Sequence, residues 1–170
     1  LSTDAGLWGY SLGDTVKFTS LAPYKLLVTG RIKHFTSAFG EHVIAEEVEG
    51  AMHAALAKHP AEVIEFTVAP QLHPKEGLPH HEWLISFGRK PEDLKAFAAE
   101  LDRIMQERNI YYRDLIVGKI LRPLEITSLS KDAFNRYMKS KGKLGGQNKV
   151  PRLSNDRNIA DALSEWRESQ

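Results

Sequence analysis

The chain has 170 residues and carries 23 Lys and Arg against 22 Asp and Glu, a formal net charge of +1. With 42% apolar and 26% charged residues it has the makeup of one ordinary globular domain, or one compact domain with an accessory strand pair, and not of a disordered chain. The near-neutral balance argues against a general nucleic-acid or membrane-surface binder, and the lack of cysteine excludes a disulfide framework, a thiolate zinc site, a cysteine nucleophile and an iron–sulfur cluster.

No run approaches the roughly 20 apolar residues of a membrane span. The opening Leu1-Ser2-Thr3-Asp4 has neither the charged nor the apolar region of a signal peptide. Beginning on Leu1 and not on Met, the chain reads as trimmed of a leader or as a piece of something longer. The composition is compatible with a reducing interior, and a cytoplasmic location is expected.

In chain order, Thr15–Thr19 alternates like a half-buried strand, Ala22-Pro23 marks a turn and Tyr24–Thr29 returns. Gly30 is expected to stop this hairpin. From Gly40 onward the period changes. Ile44, Val48, Ala51, Met52, Ala55 and Leu56 fall at helical spacing until Pro60. Ala61–Ala69 reads as a strand, and residues 70–79, with three prolines and Gly77, as a loop. Glu82–Phe87 is a second strand. A helix follows with Pro91 near its first turn, and Leu94, Phe97, Ala98, Leu101, Ile104 and Met105 form its apolar stripe. Asn109–Val117 reads as a short helix, Pro123–Leu129 as a third strand and Asp132–Ser140 as helical. Asn155–Arg167 reads as a last helix capped by Ser154 or Asn155, after an irregular Gly142–Pro151 segment. The order predicts an α+β (open-faced α/β) fold, with a sheet of about three strands flanked by helices and preceded by a β-hairpin.

Phosphate-loop, dinucleotide, zincin and nucleophile-elbow motifs are all absent from the sequence. The His80-His81-Glu82 run is the one dense histidine group, but adjacent strand residues point to opposite faces. The run reads as solvated loop or strand-edge histidines, and no metal site is expected. The basic stretch Lys139, Lys141, Lys143, Lys149 and Arg152 either holds phosphate or simply keeps a face solvated. In Gly6-Leu7-Trp8-Gly9-Tyr10-Ser11-Leu12-Gly13-Asp14 a carboxylate opens a strand at a turn. It could accept from two ribose hydroxyls, or close an Asx-type turn. Gly30-Arg31-Ile32-Lys33-His34 sets two cations after a glycine, as at a hinge near an anionic ligand or in an ordinary solvated loop.

Taken in order, these segments resemble the adenylate-forming superfamily of acyl-CoA synthetases, peptide-synthetase adenylation domains and luciferases. The matching elements are Tyr10-Ser11-Leu12-Gly13-Asp14, then Gly30-Arg31-Ile32-Lys33, then Lys149 in a late loop. Three strings resemble more closely the auxin-responsive-promoter family of acyl acid–amido synthetases and its bacterial relatives. They are Ala5-Gly6-Leu7-Trp8-Gly9-Tyr10-Ser11-Leu12-Gly13-Asp14, Gly118-Lys119-Ile120-Leu121-Arg122-Pro123-Leu124-Glu125-Ile126 and Gly146-Gln147-Asn148-Lys149-Val150-Pro151-Arg152. The likeness runs over nearly the whole chain and departs between Gly30 and Glu47.

The resemblance implies a C-terminal part of a larger ligase. Residues 1–29 would be the terminal hairpin of a missing large adenylating domain, 30–34 the hinge and 35–170 the C-terminal lid. Such ligases use ATP and Mg2+ to turn a carboxylic acid into an acyl-adenylate, then pass the acyl group to an amine or amino acid. The resemblance implies Lys149 as the catalytic lysine, Asp14, Arg31 and Tyr10 as nucleotide-binding residues, and Lys33 as the hinge residue. His34, Glu41 and His42 are candidates for the acceptor side, where an imidazole could take the amine's proton. The fragment alone is expected to hold no cofactor and to be inactive. Its partners would be the large domain and small carboxylic acid and amine substrates, with no nucleic acid and no membrane. Two other readings stand beside this one: an acyl-CoA ligase with a thiol acceptor, and a stand-alone module that senses a small metabolite.

Overall fold

The computed structural model describes residues 2–6, 8–9, 14–31, 35–142 and 149–168. The hairpin is there: β1 (Asp14–Leu21) pairs antiparallel with β2 (Tyr24–Arg31). Val16 faces Val28 and Phe18 faces Leu26 across the pair. Gly30 does not stop the strand, because its backbone still pairs opposite Thr15 and the ladder runs on to Arg31 opposite Asp14. A glycine lacks a side chain but keeps both backbone hydrogen-bonding groups.

A short ribbon follows that the sequence reading lacks. β3 (Phe35–Thr36) pairs with β4 (Val43–Ile44), and two-residue strands are too short to show a period. Helix α1 (Ala45–Lys58) then buries Val48, Ala51, Met52 and Ala55, the residues expected at helical spacing. At its start the Glu47 carboxylate accepts from the Ile44 N–H at 3.0 Å, half of a capping box, since isoleucine has no acceptor to return the bond.

The main sheet has the order β5-β6-β7, from β5 (Glu62–Gln71), β6 (His80–Arg89) and β7 (Glu125–Leu129). β5 and β6 are antiparallel, while β6 and β7 are parallel. The parallel pair requires a crossover, supplied by α2 (Leu94–Arg108) and α3 (Ile110–Val117). Pro91 lies before α2 and not in its first turn. Asp93 is the cap, its Oδ1 accepting from the N–H groups of Lys95 and Ala96 at 2.8 and 3.0 Å. Asn109 ends α2 and caps α3, accepting from Tyr112 N–H at 2.8 Å.

Helix α4 (Ala133–Ser140) falls where expected, but the last helix does not. It begins only at Asn158, as α5 (Asn158–Leu163), and tightens into a 3-10 turn over Ser164–Trp166. The expected cap, Ser154, is held extended: its N–H donates to the Val68 carbonyl and its own carbonyl accepts from Thr36 Oγ1. Asp156 instead accepts from the Asn158 N–H at 2.9 Å.

The sheet is covered on both faces. Trp83, Ile85 and Phe87 of β6 join Phe66, Val68, Phe97, Leu101 and α1 in the larger core. Leu84 joins Ala69, Leu129, Phe134, Ala160 and Leu163 in the smaller one. β6 is therefore buried from His80 to Phe87. This overturns the solvated reading of His80-His81-Glu82: the pair does point to opposite faces, but both faces are packed. Burial came from the second layer of helices, which period-2 reasoning does not see.

Candidate functional site

The lysine-bearing segment is built as an extension of the sheet. Val68 N–H donates to the Arg152 carbonyl at 2.9 Å, Ser154 N–H returns a bond to the Val68 carbonyl at 3.0 Å, and Val68 and Leu153 form a parallel bridge. Thr67 Oγ1 donates to the Pro151 carbonyl at 2.7 Å. Lys149 stands exposed at the head of this run. Arg152 is turned inward. Its guanidinium lies 4.4 Å from the Phe66 ring centre, pairs with Glu65, and donates to Glu49 Oε1 at 3.1 Å and the Phe66 carbonyl at 3.0 Å.

Asp14 and Arg31 are cross-strand partners at the open end of the hairpin, so the sheet register brings their backbones together. Tyr10, Lys33 and His34 lie outside the described residues. His42 is exposed, with a left-handed backbone at φ 48°. Glu41 is fully buried. Its carboxylate accepts from His81 Nε2 at 2.9 Å and from the Phe39 N–H at 2.8 Å. Burial raises its pKa, but the His81 hydrogen bond and charge and the backbone bonds outweigh this, leaving it below the ordinary 4.5.

His81 leads into a buried polar chain that sequence reasoning missed. Its ring stacks on Tyr112 at 5.1 Å between centres. The Tyr112 hydroxyl donates to Asp102 at 2.6 Å, and Asp102 also accepts from Leu124 N–H and Gln106 Nε2. Burial first, and the Asp102 charge second, push the Tyr112 phenol well above its usual value, so it stays a donor. Asn109 Nδ2 donates to the Glu41 carbonyl at 3.0 Å and to Glu47. This network anchors the turn between β3 and β4 onto β6. Single residues give no warning of it, since its members are joined only by the fold.

On the other face Glu82 accepts from Thr127 Oγ1 at 2.5 Å, Arg157 at 2.7 Å and Arg167 at 2.8 Å. Burial raises its pKa, yet these donors and the two guanidinium charges bring it below the ordinary 4.5. His80 lies 3.1 Å from Glu125, but burial and the nearby Arg122 keep its pKa below 6.5. A groove of about 970 Å³ beside β7 is lined by His80, Arg122, Glu125, Thr127 and Arg167 among others, with Glu41, His42 and Lys149 lying elsewhere. Among the described residues no three His, Cys, Asp or Glu side chains converge to hold a metal ion, and no helix is long and apolar enough to cross a membrane.

No protein of curated function matches the sequence. Solved structures that share the fold include two amido synthetases. The GH3.15 acyl acid amido synthetase superposes with a TM-score of 0.77 at 21% identity, over 99% of this chain and 32% of that one. The AtGH3.15 acyl acid amido synthetase in complex with 2,4-DB gives 0.74 at 20% identity, over the same 99% and 32%. The chain thus spans about a third of the length of these proteins, and matches their C-terminal part. The sequence pattern of the GH3 family C-terminal domain covers residues 46–158, from the first turn of α1 through the lysine segment to the start of α5. The chain therefore belongs to the GH3 family, residues 46–158 matching that family's C-terminal domain.

Proposed function

We propose that this chain is the lid, with the closing hairpin of the large domain, of an ATP-dependent ligase that joins a carboxylic acid to an amine. In the first half-reaction a carboxylate oxygen attacks the α-phosphorus of ATP. The bond from that phosphorus to the β-phosphate bridging oxygen breaks, and pyrophosphate leaves. In the second, the amine nitrogen attacks the acyl carbon, the carbon–oxygen bond to AMP breaks, and nitrogen loses a proton. Both halves ask for positioned reactants and for cations where negative charge gathers.

Lys149 would bridge the substrate carboxylate and the α-phosphate during adenylation. An ammonium on a flexible stem can follow a moving oxygen. Asp14 would hold the ribose hydroxyls, Arg31 would reach ribose or phosphate, and Tyr10 would pack beside the nucleotide. Lys33 would mark the pivot about which the lid turns between the two halves. His34 and His42 would face the acceptor, with buried Glu41 acting through the turn it holds. Mg2+ would arrive on the ATP phosphates, since ions of this kind take only one or two carboxylates besides them. The acyl and amine pockets would lie in the large domain.

One observation supports the partial-enzyme reading above the others. The hairpin bares an apolar face: Val16 is 48% exposed, Phe18 54%, Tyr24 79%, Leu26 57% and Val28 56%. Val16–Val28 and Phe18–Leu26 are direct cross-strand pairs, and Tyr24 sets its ring edgewise to Phe18, so all five form one patch. A contiguous patch of this kind marks a surface that another domain covers. The test is pyrophosphate exchange on a longer protein that includes this chain, where the reading frame extends upstream of Leu1. Lys149→Ala should depress the adenylation half more than amide formation from supplied acyl-adenylate. Equal loss in both halves would sink the role of Lys149. A start codon adjacent to Leu1 would leave the metabolite-binding reading, and turnover with a thiol acceptor alone would leave the acyl-CoA reading.

A further inference from the structure

We infer that Arg152 is a positioning residue that locks the Lys149 segment to the body of the lid, so that hinge rotation carries the lysine without a separate loop movement. This rests on the ligase reading of Lys149 given above. Lys149 is exposed, and an ammonium on a four-carbon stem can be aimed only if its backbone is held. Three residues on, Arg152 ties that backbone to three places at once. It reaches β5 through Glu65 and the Phe66 carbonyl, and α1 through Glu49. It reaches the larger core through the Phe66 ring, which itself stacks on fully buried Trp83 at 5.5 Å and 10°.

Two carboxylates meet the Arg152 charge within the fold. Among the described residues this sets Arg152 apart from Lys139, Lys141 and Lys149 of the basic stretch, and it argues against Arg152 holding phosphate. A planar guanidinium suits the place, since one flat group stacks on a ring and donates sideways to two carboxylates. The same segment is joined to the hinge exit. Thr36 Oγ1 donates to the Ser154 carbonyl at 2.7 Å, and Ser37 N–H donates to Asn155 Oδ1 at 2.8 Å. Residues just past the hinge and residues just past Lys149 are thus held together across 118 positions of sequence.

The experiment compares Lys149→Ala, Arg152→Ala, Arg152→Lys and Glu65→Gln in the longer ligase. Adenylation is read by pyrophosphate exchange, and amide formation from supplied acyl-adenylate. Arg152→Ala should lower kcat of adenylation by about 10- to 100-fold, the scale of a misplacement near 1 Å, with a smaller change in KM for ATP. Amide formation should stay within about threefold. Arg152→Lys should recover part of the loss, as it keeps the charge over Phe66 but not the fork. Amide hydrogen exchange in Glu65→Gln, which keeps the side chain's size, should rise over Val150–Leu153 and not over β6. Equal loss in both halves, or wild-type adenylation in Arg152→Ala and Glu65→Gln beside an impaired Lys149→Ala, overturns the inference and leaves the ligase reading standing. Wild-type adenylation in Lys149→Ala overturns the inference together with the role of Lys149.

Discussion

The hairpin and the central strand of the sheet invert each other. The hairpin β1–β2 carries Val16, Phe18, Tyr24, Leu26 and Val28 in solvent, while β6 carries His80, His81 and Glu82 in the interior. Each arrangement is costly alone, and each points to what stands beside it. Apolar side chains left in water forgo roughly 25 cal/mol per Å² of unburied surface. On the proposed reading a further domain covers them. Buried ionisable groups must be paired and hydrogen-bonded, and here they are. His81 meets Glu41, Glu82 meets Arg157, Arg167 and Thr127, and His80 meets Glu125. The body of the chain around the β5-β6-β7 sheet thus pairs its buried ionisable groups, while the hairpin leaves its apolar side chains in solvent.

The largest expected effect tests the core around the main sheet. Trp83→Ala removes a fully buried ring stacked on Phe66, and should cost about 3–5 kcal/mol in urea unfolding. A loss under about 1 kcal/mol would mean that this sheet does not hold the fold together.

Next comes the buried pair. His81→Leu leaves the Glu41 carboxylate buried beside an apolar side chain, at a cost of about 3 kcal/mol. Replacing both, with Glu41→Gln added, should recover part of that cost because no charge is left unpaired. No recovery in the double variant would show that packing of the imidazole on Tyr112, and not the pair, sets the cost.

Acid should act in the same direction through three groups. Glu41 and Glu82 have folded-state pKa values below the ordinary 4.5, so the stability they contribute is full above that value. It is lost as pH falls through the folded values, where the native state must also take up protons. His80 is lowered from 6.5, so below that pH the unfolded chain protonates first and stability again declines. Unfolding free energy should therefore fall steadily as pH drops from 7 toward 3. A flat profile would contradict the buried pairing. Glu82→Gln should flatten the acid limb of the curve.

The smallest effect belongs to the hairpin. Phe18→Ser in this chain should change stability by no more than about 0.5 kcal/mol, as for other solvated positions. If a further domain covers the hairpin, as proposed, the same change in the longer protein should lower activity. A cost above about 1 kcal/mol in this chain would mean that Phe18 already packs against the rest of it, and the contrast between the two regions would fail.

Much of this was legible in the sequence where local rules dominate. The α2 stripe from Leu94 to Met105, the α1 spacing and the three sheet strands all fell where periodicity put them, because one face of each meets the core. Capping at Asp93 and Asn109 was missed, as was the short β3–β4 ribbon. The last helix was drawn too long, because residues 153–154 add to the edge of β5 and that pairing overrides helical preference. At the candidate site, Lys149 and Glu41 drew attention by position and resemblance. What each touches was not legible: Glu41 meets His81 from 40 residues away and Arg152 meets Glu65 from 87.

By itself the sequence determined the element types, the family likeness and the cationic character of the Gly30–His34 and Lys149 segments. These follow from spacing along the chain and from side-chain chemistry, which are local properties. The tertiary structure alone decided that both faces of β6 are covered, so that its histidines and Glu82 are buried and need partners. It alone decided that Arg152 turns inward onto Phe66 while Lys149 stays in solvent. Burial and long-range pairing depend on which elements pack together, and no local pattern encodes that choice.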